Sequence, residues 1–224
     1  QFFAFILALL LAFKSSEKKK TPEIKSRSKE MFDLKKELQF WRVLGVRVFP
    51  AMFLGVAITI IYSSVWTMGG LLGKDLFNES GLDWIIVVLF SFSSILSTFL
   101  LFRMKIRSRK KHISQILLFI GGSVLFLLHF LRQSPLLIAA GFFIIGFFYA
   151  TSWSLSEAVY TDLIKRSGKN KLHLIGFFRI NNSVGYMFGP IISGALSDAT
   201  DHLTAFSIIG LGVMIIAILL LIIS

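Results

Sequence analysis

The stretch GYMFGPIISGALSD, residues 185–198, places three glycines and a proline inside an otherwise apolar segment. Glycine and proline both weaken an isolated helix. In a membrane, however, glycine lets two helix backbones approach closely, and this packing replaces the hydrophobic driving force that lipid does not supply. Gly185 and Gly189 therefore predict a packing face that Gly194 extends, while Pro190 predicts a bend that can act as a hinge.

The composition around this stretch is that of a membrane protein. Hydrophobic residues make up 55% of the 224-residue chain, aromatic residues 14% and charged residues only 16%, which lies outside the range of soluble domains. Six apolar runs are long enough to cross a bilayer as helices. We therefore expect an all-α bundle of six transmembrane helices, at residues 48–68, 84–102, 113–131, 133–156, 180–197 and 203–224.

Two segments precede these six runs. The apolar stretch within residues 1–13 is too short to cross a bilayer, so we interpret it as the end of a truncated transmembrane helix. Residues 14–47 form a basic central loop, in which a solvated linker is followed by a helix with apolar residues at three- and four-residue steps from Met31 to Leu44. This spacing predicts an amphipathic helix at the membrane surface. The third domain is the six-helix unit, residues 48–224.

The basic residues fix an orientation. Of the 24 Lys and Arg residues, 22 fall in three alternate connections, at residues 14–47, 103–112 and 157–179. Cytoplasmic loops carry such an excess of positive charge, so we place these three loops in the cytoplasm. This asymmetry also accounts for the net charge of +12, and we therefore expect no nucleic-acid partner, although basic loops alone would also fit one.

The sequence contains few of the motifs that support catalysis or metal binding. It has no cysteine, and its four histidines are scattered singly. Phosphate-binding glycine loops, nucleophile motifs and metal-ligand spacings are also missing from the sequence. We therefore expect no enzyme, no cofactor and no metal. No Asp, Glu, Lys or Arg lies near the middle of any span, so an ion-coupling group would lie elsewhere or be Glu157 at an unusually shallow depth.

With Gly176 included, the opening stretch becomes G-x8-G-x3-G-P-x2-S-G, in which Ser193 replaces a glycine. This pattern resembles the antiporter signature of the major facilitator superfamily, which lies on the fifth helix of a six-helix half. The family's other loop motif matches only at its basic end, since Lys105 stands in place of its aspartate. The resemblance implies a C-terminal half, preceded by the end of the sixth helix and the central loop. Its partners would be the lipid bilayer, a small-molecule substrate and a missing N-terminal half.

In this family, the first and fourth helices of each half line the central cavity. The resemblance therefore implies that aromatic residues of those spans face the substrate, together with an amide that opens the fifth span: Tyr62, Trp66, Tyr149, Trp153 and Asn182. Tyr149 and Trp153 lie four residues apart, hence on one helix face. Trp66 lies near the outer end of its span and also fits an interfacial aromatic belt.

Charged residues at the cytoplasmic ends of the spans form a second candidate site. We expect a gate network of Arg103, Glu157, Asp162 and Arg179 that closes the cytoplasmic side when the transporter faces outward. The alternative interpretation is plain interfacial charge without a gating role.

The resemblance predicts a secondary active transporter that moves a small organic solute by alternating access, in the plasma membrane. The glycine pattern favours an exporter or antiporter, although uptake fits the helices equally well. The alternative is a six-helix membrane scaffold or sensor that uses the glycine face to bind a partner helix.

Overall fold

The computed structural model describes residues 34–77, 81–103, 109–166 and 171–223. The chain divides into two units after Val43, and the side-chain contacts discussed below belong to residues 44–224. The predicted truncated helix at residues 1–13 and the predicted linker lie outside the described residues. The same holds for Met31 at the start of the predicted surface helix.

The described residues form six α-helices. These are α1 (Leu34–Phe77), α2 (Ile85–Arg103), α3 (Lys110–Leu127), α4 (Pro135–Arg166), α5 (Lys171–Ala199) and α6 (His202–Ile223). A short 3-10 helix, Leu128–Leu131, extends α3. Pro135 begins α4, where its missing N–H removes no intrahelical bond. The described residues contain no strand, and the prediction of an all-α membrane bundle is confirmed.

Five of the six helices are long and apolar enough to cross a membrane: residues Pro50–Phe77, Ile85–Arg103, Lys110–Leu131, Pro135–Lys165 and His202–Ile223. The exception is α5, although its 29 residues give it sufficient length. Its apolar content is diluted by Asn181 and Asn182 and by the small residues of the opening stretch. A sixth span at residues 180–197 therefore stays a prediction.

Several predicted boundaries were wrong by more than one helical turn. Residues 34–77 form one helix, so the predicted surface helix and first span are continuous. Helices α4 and α5 occupy most of residues 157–179, which we expected to be a loop. Hydropathy marks where the apolar run ends, but polar residues continue a helix when neither Pro nor Gly interrupts it. No such residue lies between Glu157 and Arg166.

The helices pack around a main apolar core, and a smaller cluster is formed by Ala51, Tyr160 and Leu174. Helix α2 packs on α4, α3 packs on both α4 and α6, and α5 contacts α6 and α4. Phe142 of α4 meets Phe206 of α6 edge-to-face at 5.0 Å between ring centroids. Helix α1 supplies Ile58 and Ile61 to this core. Since the core joins α1 to α4, it also brings the aromatic residues of these two helices together.

Candidate functional site

An aromatic cluster joins four helices, with Tyr62 of α1 at its centre. The ring of Tyr62 stacks on that of Tyr149 of α4, at 5.5 Å between centroids and 19° between planes. Tyr186 of α5 meets Tyr62 edge-on at 5.8 Å. Phe90 of α2 lies 5.3 Å from the Tyr149 ring. The cluster therefore combines π-faces and phenolic hydroxyls from separate helices, the combination that organic ligands commonly bind.

Helical spacing extends this cluster along α1 and α4. Trp66 lies one turn after Tyr62, with ring centroids 6.0 Å apart, and Trp153 lies one turn after Tyr149 at 6.3 Å. Tyr149 is buried with 6% of its surface exposed, whereas Trp66 is 54% exposed. The structure thus brings together four of the five residues that the sequence predicted to face the substrate. Their role toward a substrate stays a prediction.

Two members of the aromatic cluster were missed by the sequence interpretation. Phe90 lies in an apolar run where nothing distinguishes it from other phenylalanines. Tyr186 lies inside the glycine-rich stretch, which we interpreted only as a packing face. A usable signal was present, because Tyr186 follows Asn182 by four residues and therefore shares its helix face.

The two adjacent asparagines of α5 have different surroundings. Asn181 is buried, and its Nδ2 donates a hydrogen bond of 3.1 Å to the carbonyl of Met52 in α1. The Oδ1 atom of Asn182 is also buried but has no hydrogen-bond partner. Such an acceptor is costly unless a ligand or water supplies a donor. This oxygen lies against Gly55 of α1, 3.5 Å from a carbon placed on that glycine, so Asn182 is an unsatisfied polar group between α5 and α1.

The glycine face of α5 packs against α1. A side-chain carbon on Gly185 would overlap the side chain of Thr59, and one on Gly189 would overlap Ser63. Only glycine permits this approach of the two helices. Equivalent carbons on Gly176 and Gly194 meet no atom of the described structure within 4 Å. A packing role for those two glycines, like the hinge role of Pro190 inside α5, stays a prediction.

The four predicted gate residues have varied contacts. Asp162 forms an ion pair of 2.7 Å with Lys110 Nζ of α3. The guanidinium of Arg103 lies over the ring of Phe99, 5.1 Å from its centroid. Among the described residues, Glu157 and Arg179 form no ion pair, and both are exposed. The gate network of these four residues stays a prediction.

Hydroxyl groups on α4 join helices away from the aromatic cluster. Ser152 exchanges hydrogen bonds with Ser114 of α3, at 2.9 Å between the two Oγ atoms. Thr151 bonds Ser97 of α2 at 2.7 Å. These pairs satisfy buried hydroxyls between helices, where water does not reach them. Both residues thus serve helix packing.

A polar cluster lies at the opposite end of the bundle, where α6 begins. His202 Nδ1 lies 2.7 Å from Asp75 Oδ2 at the end of α1. The side-chain hydroxyl and backbone N–H of Thr204 both donate hydrogen bonds to the carboxylate of Asp201, at 2.7 and 3.2 Å. These bonds, aided by Arg132 at 3.8 Å, hold the pKa of the Asp201 carboxyl below its ordinary value. Within the described ranges, no three His, Asp or Glu side chains are grouped to hold a metal.

Comparison with known proteins identifies the family. Neither the curated proteins nor the solved structures include a match to the chain. The family model described as Major Facilitator Superfamily matches residues 77–224, which is well over half of the sequence and includes α2 to α6. This match agrees with the apolar helical bundle and with the glycine pattern of α5. The chain is thus an integral membrane protein that belongs to the major facilitator superfamily, a family of membrane transporters.

Proposed function

We propose that this chain is the C-terminal half of a secondary active transporter that moves a small organic solute by alternating access. The observation that carries the proposal is the aromatic cluster between α1 and α4 in a member of this family. Transporters of this family consist of two six-helix halves that rock around a site near the bilayer midplane. The proposal includes a missing N-terminal half, whose cavity would face the same cluster.

The solute would bind where the cluster is most open. Tyr149 is packed inside the bundle, whereas Tyr186 is 41% exposed. A solute that contacts Tyr186 and Trp66 would thus lie beside the stacked pair of Tyr62 and Tyr149. Aromatic residues supply contact area with little loss of side-chain freedom, while their hydroxyls fix orientation.

The gate would lie one to two turns farther along α4. Glu157 follows Trp153 by four residues, and Arg179 lies on α5, which contacts α4. A carboxylate and a guanidinium bind strongly in a partly dry interface and separate when the interface becomes hydrated. Asp162 and Arg103 would belong to the same network, in which Lys110 already holds Asp162 at 2.7 Å.

Helix α5 would move with α1 during the transition. The close contacts at Gly185 and Gly189 tie the two helices together, and Pro190 removes one backbone hydrogen bond from α5 at this level. The glycine pattern favours an exporter or antiporter in the plasma membrane. It is the single basis for that direction.

Cysteine accessibility in the full-length transporter tests the proposal. The chain has no cysteine, so single cysteines at Trp153 and Tyr186 would be the only ones in this half, and any cysteine elsewhere in the transporter is first replaced. A control cysteine at Phe102, which is 90% exposed on α2, reports labelling unrelated to the aromatic cluster. We expect a membrane-impermeant thiol reagent to modify Trp153→Cys and Tyr186→Cys from either side of the membrane in turn.

The outcomes separate two functions. Two-sided labelling that an added solute suppresses supports alternating access. Protection of both positions from both sides contradicts it and favours the packed scaffold, which the tight contact between α1 and α5 would then serve. Equal labelling of all three positions indicates an unfolded bundle, and a repeat in nanodiscs with a fluorescence melt identifies that case.

A further inference from the structure

We infer that Tyr160 of α4 is a positioning residue that sets the balance between two conformations. Its hydroxyl has no hydrogen bond in the conformation described above and binds, in the other conformation, a carbonyl of α1 that Pro50 leaves free. This inference rests on the proposed function and adds a residue on which alternating access depends. Three features support it: an unpaired buried hydroxyl, a proline that lacks the donor for its own helix, and the packing of the two residues at one level of the bundle.

The hydroxyl of Tyr160 is buried without a partner. Only 3% of the Tyr160 surface is exposed, and among the described residues none forms a hydrogen bond with its oxygen. The ring is held by Phe178 of α5, at 4.2 Å between ring centroids. A buried hydroxyl without a partner lowers stability, whereas Phe would fill the same space without this cost. A bond that forms in a second conformation accounts for a tyrosine at this position.

Pro50 leaves a backbone acceptor of α1 free. It lies inside the helix and has no N–H to donate to the carbonyl four residues earlier, which belongs to Val46. The proline ring is directed at this carbonyl. Because Pro50 is buried, the carbonyl lies on the side of α1 that faces the other helices. In membrane proteins, an acceptor freed by proline is commonly satisfied by a side chain of a neighbouring helix.

Tyr160 and Pro50 lie at the same level of the bundle. Tyr62 of α1 stacks on Tyr149 of α4. Ala51 comes eleven residues before Tyr62 in the sequence. Tyr160 comes eleven residues after Tyr149, and it shares a small apolar cluster with Ala51. Tyr160 therefore packs beside the part of α1 that directly follows Pro50.

The backbone of α1 already accepts a hydrogen bond from another helix at this level. Asn181 of α5 donates to the carbonyl of Met52, at 3.1 Å. Helices bend at proline, because no bond joins the proline to the preceding turn. A bend at Pro50 changes the distance between the Val46 carbonyl and α4. When this distance is short, Tyr160 donates to the carbonyl, and that conformation gains a bond that the present one lacks.

Removal of the hydroxyl in the full-length transporter in nanodiscs tests the inference. Tyr160→Phe should leave the unfolding midpoint unchanged or raise it, because the present packing loses no bond. The ratio of labelling from the two sides at the Tyr186 cysteine measures the balance between the conformations. Tyr160→Phe should change this ratio roughly fivefold, the effect of one hydrogen bond. Thr161→Val is the matched control, since this exposed hydroxyl donates to the Glu157 carbonyl of its own helix, and it should leave the ratio unchanged.

A double-mutant cycle with Pro50 identifies the acceptor. Pro50→Ala restores an N–H that bonds the Val46 carbonyl within α1, so the hydroxyl of Tyr160 loses its partner. The effect of Tyr160→Phe on the labelling ratio should therefore disappear in the Pro50→Ala background. The control cycle of Pro50→Ala with Thr161→Val should be additive.

The inference is overturned if Tyr160→Phe leaves the ratio unchanged or if its effect persists in the Pro50→Ala background. A lower unfolding midpoint for Tyr160→Phe also overturns it, since the hydroxyl would then be bonded in the present conformation, for example by water. The single variant decides the first point without Pro50→Ala, so poor folding of the latter does not leave the question open. Two-sided labelling that Tyr160→Phe does not alter refutes the inference and leaves the transporter standing. One-sided or absent labelling of the parent removes the proposed function, and the inference with it.

Discussion

Gly185 of α5 lies directly against Thr59 of α1, so that a carbon added at Gly185 would be 2.7 Å from Thr59 Cβ. Such a separation is far below van der Waals contact, and neither helix can shift without disturbing Gly189 and Ser63 one turn away. The two helices are thus fitted to each other at successive turns.

Replacing Gly185 by Ala should destabilise the bundle. Overpacking of this kind costs about 1–3 kcal/mol, which exceeds the gain of about 1 kcal/mol from the better helix propensity of Ala. The same change at Gly194, where an added carbon meets nothing within 4 Å, should be neutral or stabilising. Fluorescence-monitored thermal unfolding in detergent measures both, and equal effects at the two glycines would contradict the packing.

Asn181 should contribute through its hydrogen bond to α1. Asn181→Ala removes the donor to the Met52 carbonyl, which keeps only the bond of its own helix. Interhelical hydrogen bonds in membranes contribute about 0.6 kcal/mol on average and up to about 1.7, so we expect a lower unfolding midpoint. Ser183→Ala is the control, since Ser183 is exposed and its hydroxyl donates to the Arg179 carbonyl of its own helix. An equal loss in both variants would show that the bond adds nothing.

Ser114 and Ser152 should be energetically coupled. Each hydroxyl lies within hydrogen-bond distance of the other and of the other's backbone carbonyl. Because each has one proton, the pair shares two donors among these contacts, and removing one hydroxyl takes a partner from the second. In a double-mutant cycle, Ser114→Ala and Ser152→Ala should therefore show a coupling energy of about 0.5–1.7 kcal/mol. Ser123, whose hydroxyl donates to the Phe119 carbonyl of its own helix, provides the control cycle with Ser152. Additive losses in the first cycle would argue against the pair.

The sequence predicted the class of fold and part of the site. Both predictions depend on features within a single helix. Apolar length identifies a membrane helix, and residues four apart share a helix face, so Tyr149 and Trp153 were placed together correctly. The same rule placed Gly185 and Gly189 on one face. It did not say that Thr59 and Ser63 would meet them, because the neighbour of a face depends on the arrangement of all six helices.

What the sequence missed depends on contacts between helices. Phe90 and Tyr186 join the cluster only because α2 and α5 come close to Tyr62 and Tyr149. The partner of Asp162 proved to be Lys110, 52 residues away, since packing between α3 and α4 decides which charges meet. Helix ends were also misjudged, because hydropathy reports on the membrane whereas helix geometry depends on backbone bonds that polar residues also make.

Asp201 should make the stability of the bundle depend on pH. Hydrogen bonds from Thr204 keep its folded-state pKa below the value of about 3.9 expected in the unfolded chain. The stabilisation from the ionised carboxylate is thus complete above the unfolded-state pKa and is lost as the pH falls through the folded-state value. Asp201→Asn should lower the unfolding midpoint at pH 7, and its difference from the parent should shrink as the pH falls below 4.

Asp201 also caps the start of α6, and variants can measure this contribution apart from that of its charge. Because Asn also accepts hydrogen bonds at the start of a helix, Asp201→Ala should cost more than Asp201→Asn at neutral pH, by about 0.5–2 kcal/mol. That further loss should persist at low pH, since it does not depend on ionisation. Asp198→Asn, at an exposed position three residues earlier, provides the control. If Asp198→Asn and Asp201→Asn changed the pH profile equally, the hydrogen bonds from Thr204 would not be its cause.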